Sequence, residues 1–107
     1  MKNPLANMGN ILKQAQAMQA QMSKVQEQAS VKTVTGTAGG GSVTATANGA
    51  MQLLSIVIDP EVVKSGDVEM VQDLVMAASN DALHKAREMM ANEMKAVTGG
   101  MNVPGLF

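Results

Sequence analysis

The sequence predicts an α+β fold in which one helix, a three-stranded antiparallel sheet and a second helix follow one another along the chain. Three observations carry this. Residues 4–30 place apolar side chains every three or four positions, residues 31–59 switch to Val- and Thr-rich stretches divided by glycines, and residues 67–97 return to a helical period. A length of 107 residues allows one domain, spanning 1–107.

The first helix, about 4–30, rests on Met8, Ile11, Ala15, Met18, Met22, Val25 and Ala29, whose spacings alternate between three and four. No Gly or Pro interrupts the run after Gly9. This is a heptad seam, a modest one because it mixes Met and Ala with Ile and Val. The spacing leaves open whether it packs within the domain or on a partner.

Strands are expected at about 31–38, 42–48 and 51–59. Glycines 39–41 separate the first two, and Asn48-Gly49 is expected to turn the second into the third, because both residues tolerate positive φ. The third strand, in MQLLSIVID, is apolar at most positions, so it is expected to be central or covered on both faces. Asp59-Pro60-Glu61 ends it, and a short linker leads to Ser65-Gly66-Asp67. The second helix, about 67–97, has Asp67 as its N-cap and Glu69 and Asp73 in its early turns, where the helix dipole favours acids. Val71, Leu74, Val75, Ala78, Ala82, Ala86 and Met89 form its expected buried face. Gly99-Gly100 stops it, leaving a tail, 98–107, that is extended or loosely docked.

Composition narrows the classes. There is no Cys, hence no disulfide framework, thiolate nucleophile or Cys-ligated metal, and a reduced cytoplasmic setting is the default. The longest aliphatic run, LLSIVI, falls far short of the roughly 20 residues a membrane helix needs. The start has no unbroken apolar stretch of the secretory type. A soluble protein without a membrane partner is expected. Eleven Met, no Trp, no Tyr and a single Phe make a core of small or flexible side chains. Such a core covers two long helices poorly, and burial against a second copy is the expected remedy.

Two stretches raise the question of chemistry. GTAGGG, residues 36–41, has the four-residue glycine gap of a phosphate-binding loop, and Ser42 follows it. The Lys that would reach the phosphates is missing, and strand pattern follows where a helix N-terminus should be. It reads as a turn. His84 is the only His, with Asp81 and Glu88 one turn to either side, the pattern of a surface His among acids. No nucleophile–base–acid set or multi-His set can be assembled. No enzyme activity, cofactor, metal or small-molecule substrate is expected.

Charge is unevenly spread. The chain as a whole carries −1, but residues 1–32 hold Lys2, Lys13, Lys24 and Lys32 against Glu27 alone. Lys13 and Lys24 are separated by about three helical turns, so they point the same way, nearly opposite the apolar seam. Lys2 extends that line if the helix begins early enough. Lys85, Arg87 and Lys95 add basic groups to the second helix, interleaved with Glu88 and Glu93. Aromatic platforms for stacking bases are absent, so a nucleic-acid partner would be held through its duplex backbone.

Taken in order, ILKQAQAMQAQM, GTAGGGSVTATANG, LLSIVIDPEVV, DVEMVQDLVMAASNDALHKAREMM and TGGMNVPGLF resemble the YbaB/EbfC family of bacterial nucleoid-associated proteins over nearly the whole chain. The resemblance implies a helix–three-strand–helix subunit in a tweezer-like homodimer. It also implies non-enzymatic binding of double-stranded DNA with low sequence preference, in the cytoplasmic nucleoid, contributing to nucleoid organisation and gene regulation. Carried over by position, the DNA-contacting residues would be Lys13, Lys24, Lys85 and Arg87, with Lys2 and Lys95 assisting. The alternative is a protein-interaction adaptor that docks partners through the first-helix seam and the apolar tail.

Overall fold

Residues 4–98 are described by a computed structural model, with side-chain surroundings from 8 to 97. Lys2 and the expected tail beyond Thr98 lie outside the described residues. Helix α1 spans Pro4–Ser30. Its first residue is a Pro, whose fixed φ suits the first helical position, and Ala, Gln, Met and Lys, all good helix formers, fill its body. Strands β1 (Thr33–Ala38), β2 (Val43–Asn48) and β3 (Leu53–Ile58) follow. A five-residue helix α2 (Pro60–Lys64) and the long helix α3 (Val68–Thr98) complete the order. Asp59 accepts the Glu61 N–H at 3.0 Å and so caps α2. Asp67 accepts the Met70 N–H at 3.0 Å and caps α3, the role expected of it.

The sheet is an antiparallel meander in the order β1-β2-β3. Val34, Gly36 and Ala38 lie beside Ala47, Ala45 and Val43, and Val43 and Ala45 lie beside Ile58 and Ile56. This face receives α3. The other carries Thr33, Thr35 and Thr37 with Thr44 and Thr46, the polar half of the strand alternation.

Strand β3 is an edge strand, contrary to the expectation of a central or doubly covered one. Consecutive hairpins place the third strand at the margin, and α3 crosses β1 and β2 while only bordering β3. Leu53, Leu54, Ile56 and Val57 are left 43%, 53%, 41% and 64% exposed. The apolar pattern marked the strand correctly, but the inference from it to a central or covered position does not hold in this chain.

The glycines divide into two kinds. Gly39, Gly40 and Gly41 have φ of 63°, 69° and 96° and make the short turn from β1 to β2. Gly36, in the same GTAGGG stretch, belongs to β1 and serves packing. A Cβ there would lie 2.2 Å from the Ala82 backbone nitrogen and 2.6 Å from the Ala78 carbonyl oxygen. The turn expected at Asn48-Gly49 is present, with its one positive φ on Met51, at 63°. Gly49 is needed because a Cβ would meet the Ala29 carbonyl oxygen at 2.2 Å, where α1 ends against the sheet. Asn48 organises the turn. Its Oδ1 accepts the Ala50 and Gln52 N–H groups at 3.0 and 3.1 Å, and its Nδ2 donates to Gln52 Oε1 at 3.1 Å.

The core is built from small residues. Of the seven fully buried apolar side chains among the described residues, Ala29, Ala45, Ala47, Ala78, Ala82 and Ala86 are alanines, and Val43 is the largest. Val34, Ala38, Ile58, Leu74, Val75 and Leu83 pack around this centre. Each Ala withdraws little area from water, at roughly 25 cal/mol per Å² of apolar surface. Close approach of α3 to the sheet, made possible by Gly36, compensates through dispersion contacts.

Candidate nucleic-acid interface

The helices carry the basic residues in two different electrostatic settings. On α1, the half-buried or buried apolar side chains are Met18, Met22, Val25 and Ala29, which share one side of the helix. Lys13 and Lys24 are exposed on the opposite side and make no ion pair among the described residues. They stand about 16 Å apart along the helix, given a rise of about 1.5 Å per residue. Duplex DNA carries a negative charge about every 1.7 Å of its axis, so a straight helix edge of this length meets several phosphates.

On α3 the positive charge is largely committed. Lys85 Nζ lies 3.1 Å from Asp81 Oδ2, and the same oxygen accepts the Thr37 N–H of β1 at 3.0 Å. The Thr37 N–H, and then Lys85, hold the Asp81 carboxyl below its usual range. Asp81 therefore fastens α3 to the first strand, and Lys85 balances that carboxylate. His84 Nε2 sits 2.9 Å from Glu88 Oε1 on the exposed surface, the pairing of a surface His expected from the sequence. Arg87 is exposed and makes no ion pair among the described residues. Lys95 is exposed in the last turn, on the outward side that Arg87 also occupies by helical period.

The structure thus brings Arg87 and Lys95 to one side of α3 and Lys13 and Lys24 to one side of α1, while Lys85 is diverted to Asp81. Sequence reasoning missed two partnerships. Lys32 pairs with Glu93, joining the end of α1 to α3 across 61 residues of chain. Asp81 joins β1 and α3 across 44. No local pattern announces either, because both depend on how the helix lies on the sheet.

Other chemistry finds little purchase. The glycine turn leads into β2, so no helix N-terminus faces it. Among the described residues, no group of three His, Asp or Glu side chains is gathered where it could hold a metal ion. An open depression on α3 is lined by Lys85, Glu88, Met89, Asn92, Glu93 and Ala96, a mixture of charges rather than a convergent site. No described helix is long and apolar enough to cross a membrane.

Comparison with known proteins decides the family. A model of the YbaB/EbfC DNA-binding family matches residues 3–101. The chain belongs to that family. It is 56% identical over 101 residues to a nucleoid-associated protein of Caldanaerobacter subterraneus, covering 94% of this chain and 91% of that one. It is 55% identical over 101 residues to a nucleoid-associated protein of Clostridium novyi, covering 94% and 89%. Among solved structures, an uncharacterised protein of Helicobacter pylori superposes with a TM-score of 0.61 at 28% identity, covering 73% of this chain and 90% of that one. The helix–three-strand–helix order is thus both the architecture of this family member and the one its sequence predicts.

Proposed function

We propose that this chain is a nucleoid-associated protein that binds double-stranded DNA as a homodimer, with little sequence preference and no catalytic step. In this reading it acts in the cytoplasm on nucleoid organisation and gene regulation. The observation that carries it is the exposed, unpaired Lys13–Lys24 edge in a member of a DNA-binding family. Phosphate contacts from such an edge give affinity without reading bases, and a chain with 1% aromatic residues has almost nothing to stack on them. Lys13 and Lys24 are the principal contacts, and Lys2, Arg87 and Lys95 assist. Lys85 contributes least, because Asp81 already neutralises it. A second copy covers β3, which carries the exposed large apolar side chains of the sheet, Leu53, Leu54, Ile56 and Val57.

The test is a salt titration of binding to long duplex DNA, with the mass of the protein measured first. Log affinity should fall linearly with log salt, by about 0.9 per phosphate contact. Replacing Lys13 and Lys24 by Ala removes four contacts per dimer, so the slope should become shallower by about 3 to 4. An unchanged affinity and slope at low salt would remove these lysines from the interface.

A further inference from the structure

Both long helices press on Gly49. Its N–H donates to the Lys32 carbonyl oxygen at 3.2 Å, just beyond the end of α1. A Cβ on it would meet the Ala29 carbonyl oxygen of α1 at 2.2 Å and Met90 Sδ of α3 at 2.9 Å. Asn48 before it is 9% exposed, ends β2 in register with Thr33, and has its side chain fixed by hydrogen bonds to Ala50 and Gln52. Among the asparagines of the chain, only Asn48 precedes a glycine. Such a pair carries its own reactivity, because no Cβ shields the glycine nitrogen from the neighbouring side-chain amide.

We infer that Asn48 is a deamidation site held closed by the seating of α1, so that release of the α1 foot is recorded as a covalent change. The first step is a cyclisation. The Gly49 nitrogen gives its proton to solvent base and attacks Asn48 Cγ. The new C–N bond forms as the Cγ–Nδ2 bond breaks, and ammonia leaves with a proton taken from water. Water then opens the cyclic imide, at Cγ to give aspartate or at the main-chain carbonyl to give isoaspartate. Neither step needs an oxidant or a reductant.

The folded chain opposes ring closure at three points. Asn48 must leave the extended conformation of β2, its Oδ1 must release the Ala50 and Gln52 N–H groups, and the Gly49 N–H must give up the Lys32 carbonyl. The last restraint belongs to the foot of α1. Lys32 is itself held there, by its N–H on the Ala29 carbonyl oxygen at 3.1 Å and by its side chain on Glu93 of α3. Lifting α1 therefore frees the glycine nitrogen while the rest of the sheet stays paired.

The two products differ in consequence. Aspartate keeps the oxygen that accepts the two N–H groups and loses only the donor to Gln52 Oε1, which the Gln amide can offset by turning over. Isoaspartate carries the chain through Cγ and so adds one atom to the backbone. Gly49 has no room for that between Ala29 and Met90, and α1 cannot reseat as before. None of this depends on DNA binding, although Lys13 and Lys24 travel with α1.

The test incubates the full-length protein in mildly alkaline buffer, folded or in urea, and follows Asn48 by peptide mass mapping that separates aspartate from isoaspartate. Conversion should be at least about tenfold slower in the folded protein, where the site reacts only through opening. Equal rates would overturn the inference. Val25→Asp puts a charge on the half-buried side of α1 and should raise the folded rate by roughly fivefold or more. An unchanged rate would overturn it too. Should that variant not fold, the parent decides in urea below its unfolding transition. There, conversion should rise in step with amide hydrogen exchange over residues 18–30, and conversion that follows only global unfolding would overturn the role of α1. The purified isoaspartate form should also exchange those amides faster than Asn48→Asp does, and equal exchange would show that the modification records nothing.

Discussion

Gly36→Ala is the sharpest test of how this fold holds together. The added methyl would sit 2.2 Å from the Ala82 backbone nitrogen, 2.7 Å from its Cα and 2.6 Å from the Ala78 carbonyl oxygen, against 3.4–4 Å for ordinary contact. All three atoms are backbone of α3, so no rotamer change relieves the clash, and the helix must retreat by about 1 Å. A gap of that size forfeits roughly a quarter to a half of the dispersion energy of each contact it opens. The contacts affected are those of Ala78, Ala82 and Ala86 with Ala45 and Ala47, which make up most of the buried centre. Overpacking typically costs about 1–3 kcal/mol, and a clash with unyielding backbone belongs at the upper end. Against this, replacing Gly by Ala in extended backbone restricts the unfolded chain and returns about 0.4–1 kcal/mol. The net expectation is a loss of about 2 to 2.5 kcal/mol, or roughly 8–20 °C in Tm for a domain of this size. Urea unfolding followed by far-ultraviolet circular dichroism suits a chain with two long helices and no Trp, at one fixed protein concentration so that any self-association bears equally on parent and variant. Gly40→Ala is the control, since open space surrounds that position and only its positive φ of 69° opposes a side chain. A Gly36→Ala protein within about 0.5 kcal/mol of the parent, the range of an ordinary surface change, would refute close helix–sheet approach as the source of stability.

Two further outcomes follow from the electrostatics and the uncovered strand. The Asp81 carboxyl is held below its ordinary value, so its stabilising effect is present above the unfolded-state value of about 3.8 and is lost as pH falls through the lower folded-state value. Asp81→Asn should therefore be less stable than the parent near neutrality and converge with it in acid, and a pH-independent difference in urea midpoint would contradict this assignment. Leu54→Asp with Val57→Asp puts a charge on each face of β3 where the side chains are 53% and 64% exposed, so the isolated subunit tolerates both. A second copy seated on β3 would not, and light scattering should show the mass halved; an undiminished dimer would place the contact elsewhere.

What was legible in the sequence follows the range over which each feature acts. The seam from Met8 to Ala29, the Asp67 cap and the face from Leu74 to Ala86 are local, and each could be read from spacing along one helix. Glycines 39–41 were legible as a turn because three in succession have few other uses. Gly36 and Gly49 were not separable from them, since a glycine required by a neighbouring backbone looks in sequence like one required by φ. The apolar pattern of β3 announced a strand but could not place it at the edge of the sheet, because strand order depends on how the hairpins fold back. The lysines were visible as a charge pattern, whereas the diversion of Lys85 to Asp81 depends on Thr37, 44 residues away from that carboxylate.

These features share one physical origin. A core in which six of seven fully buried apolar residues are alanines brings backbone close to backbone but withdraws little apolar surface from water. The larger apolar side chains are therefore left where α3 cannot cover them, on β3 and on the outer half of α1. Exposed apolar surface on both is difficult to reconcile with a free monomer, because contiguous patches of this kind normally mark contact sites. A second subunit seated on β3 would cover the sheet's share while leaving Lys13 and Lys24 in water. The small core is thus the reason α3 lies close on the sheet, while the charged edge of α1 stays open to solvent.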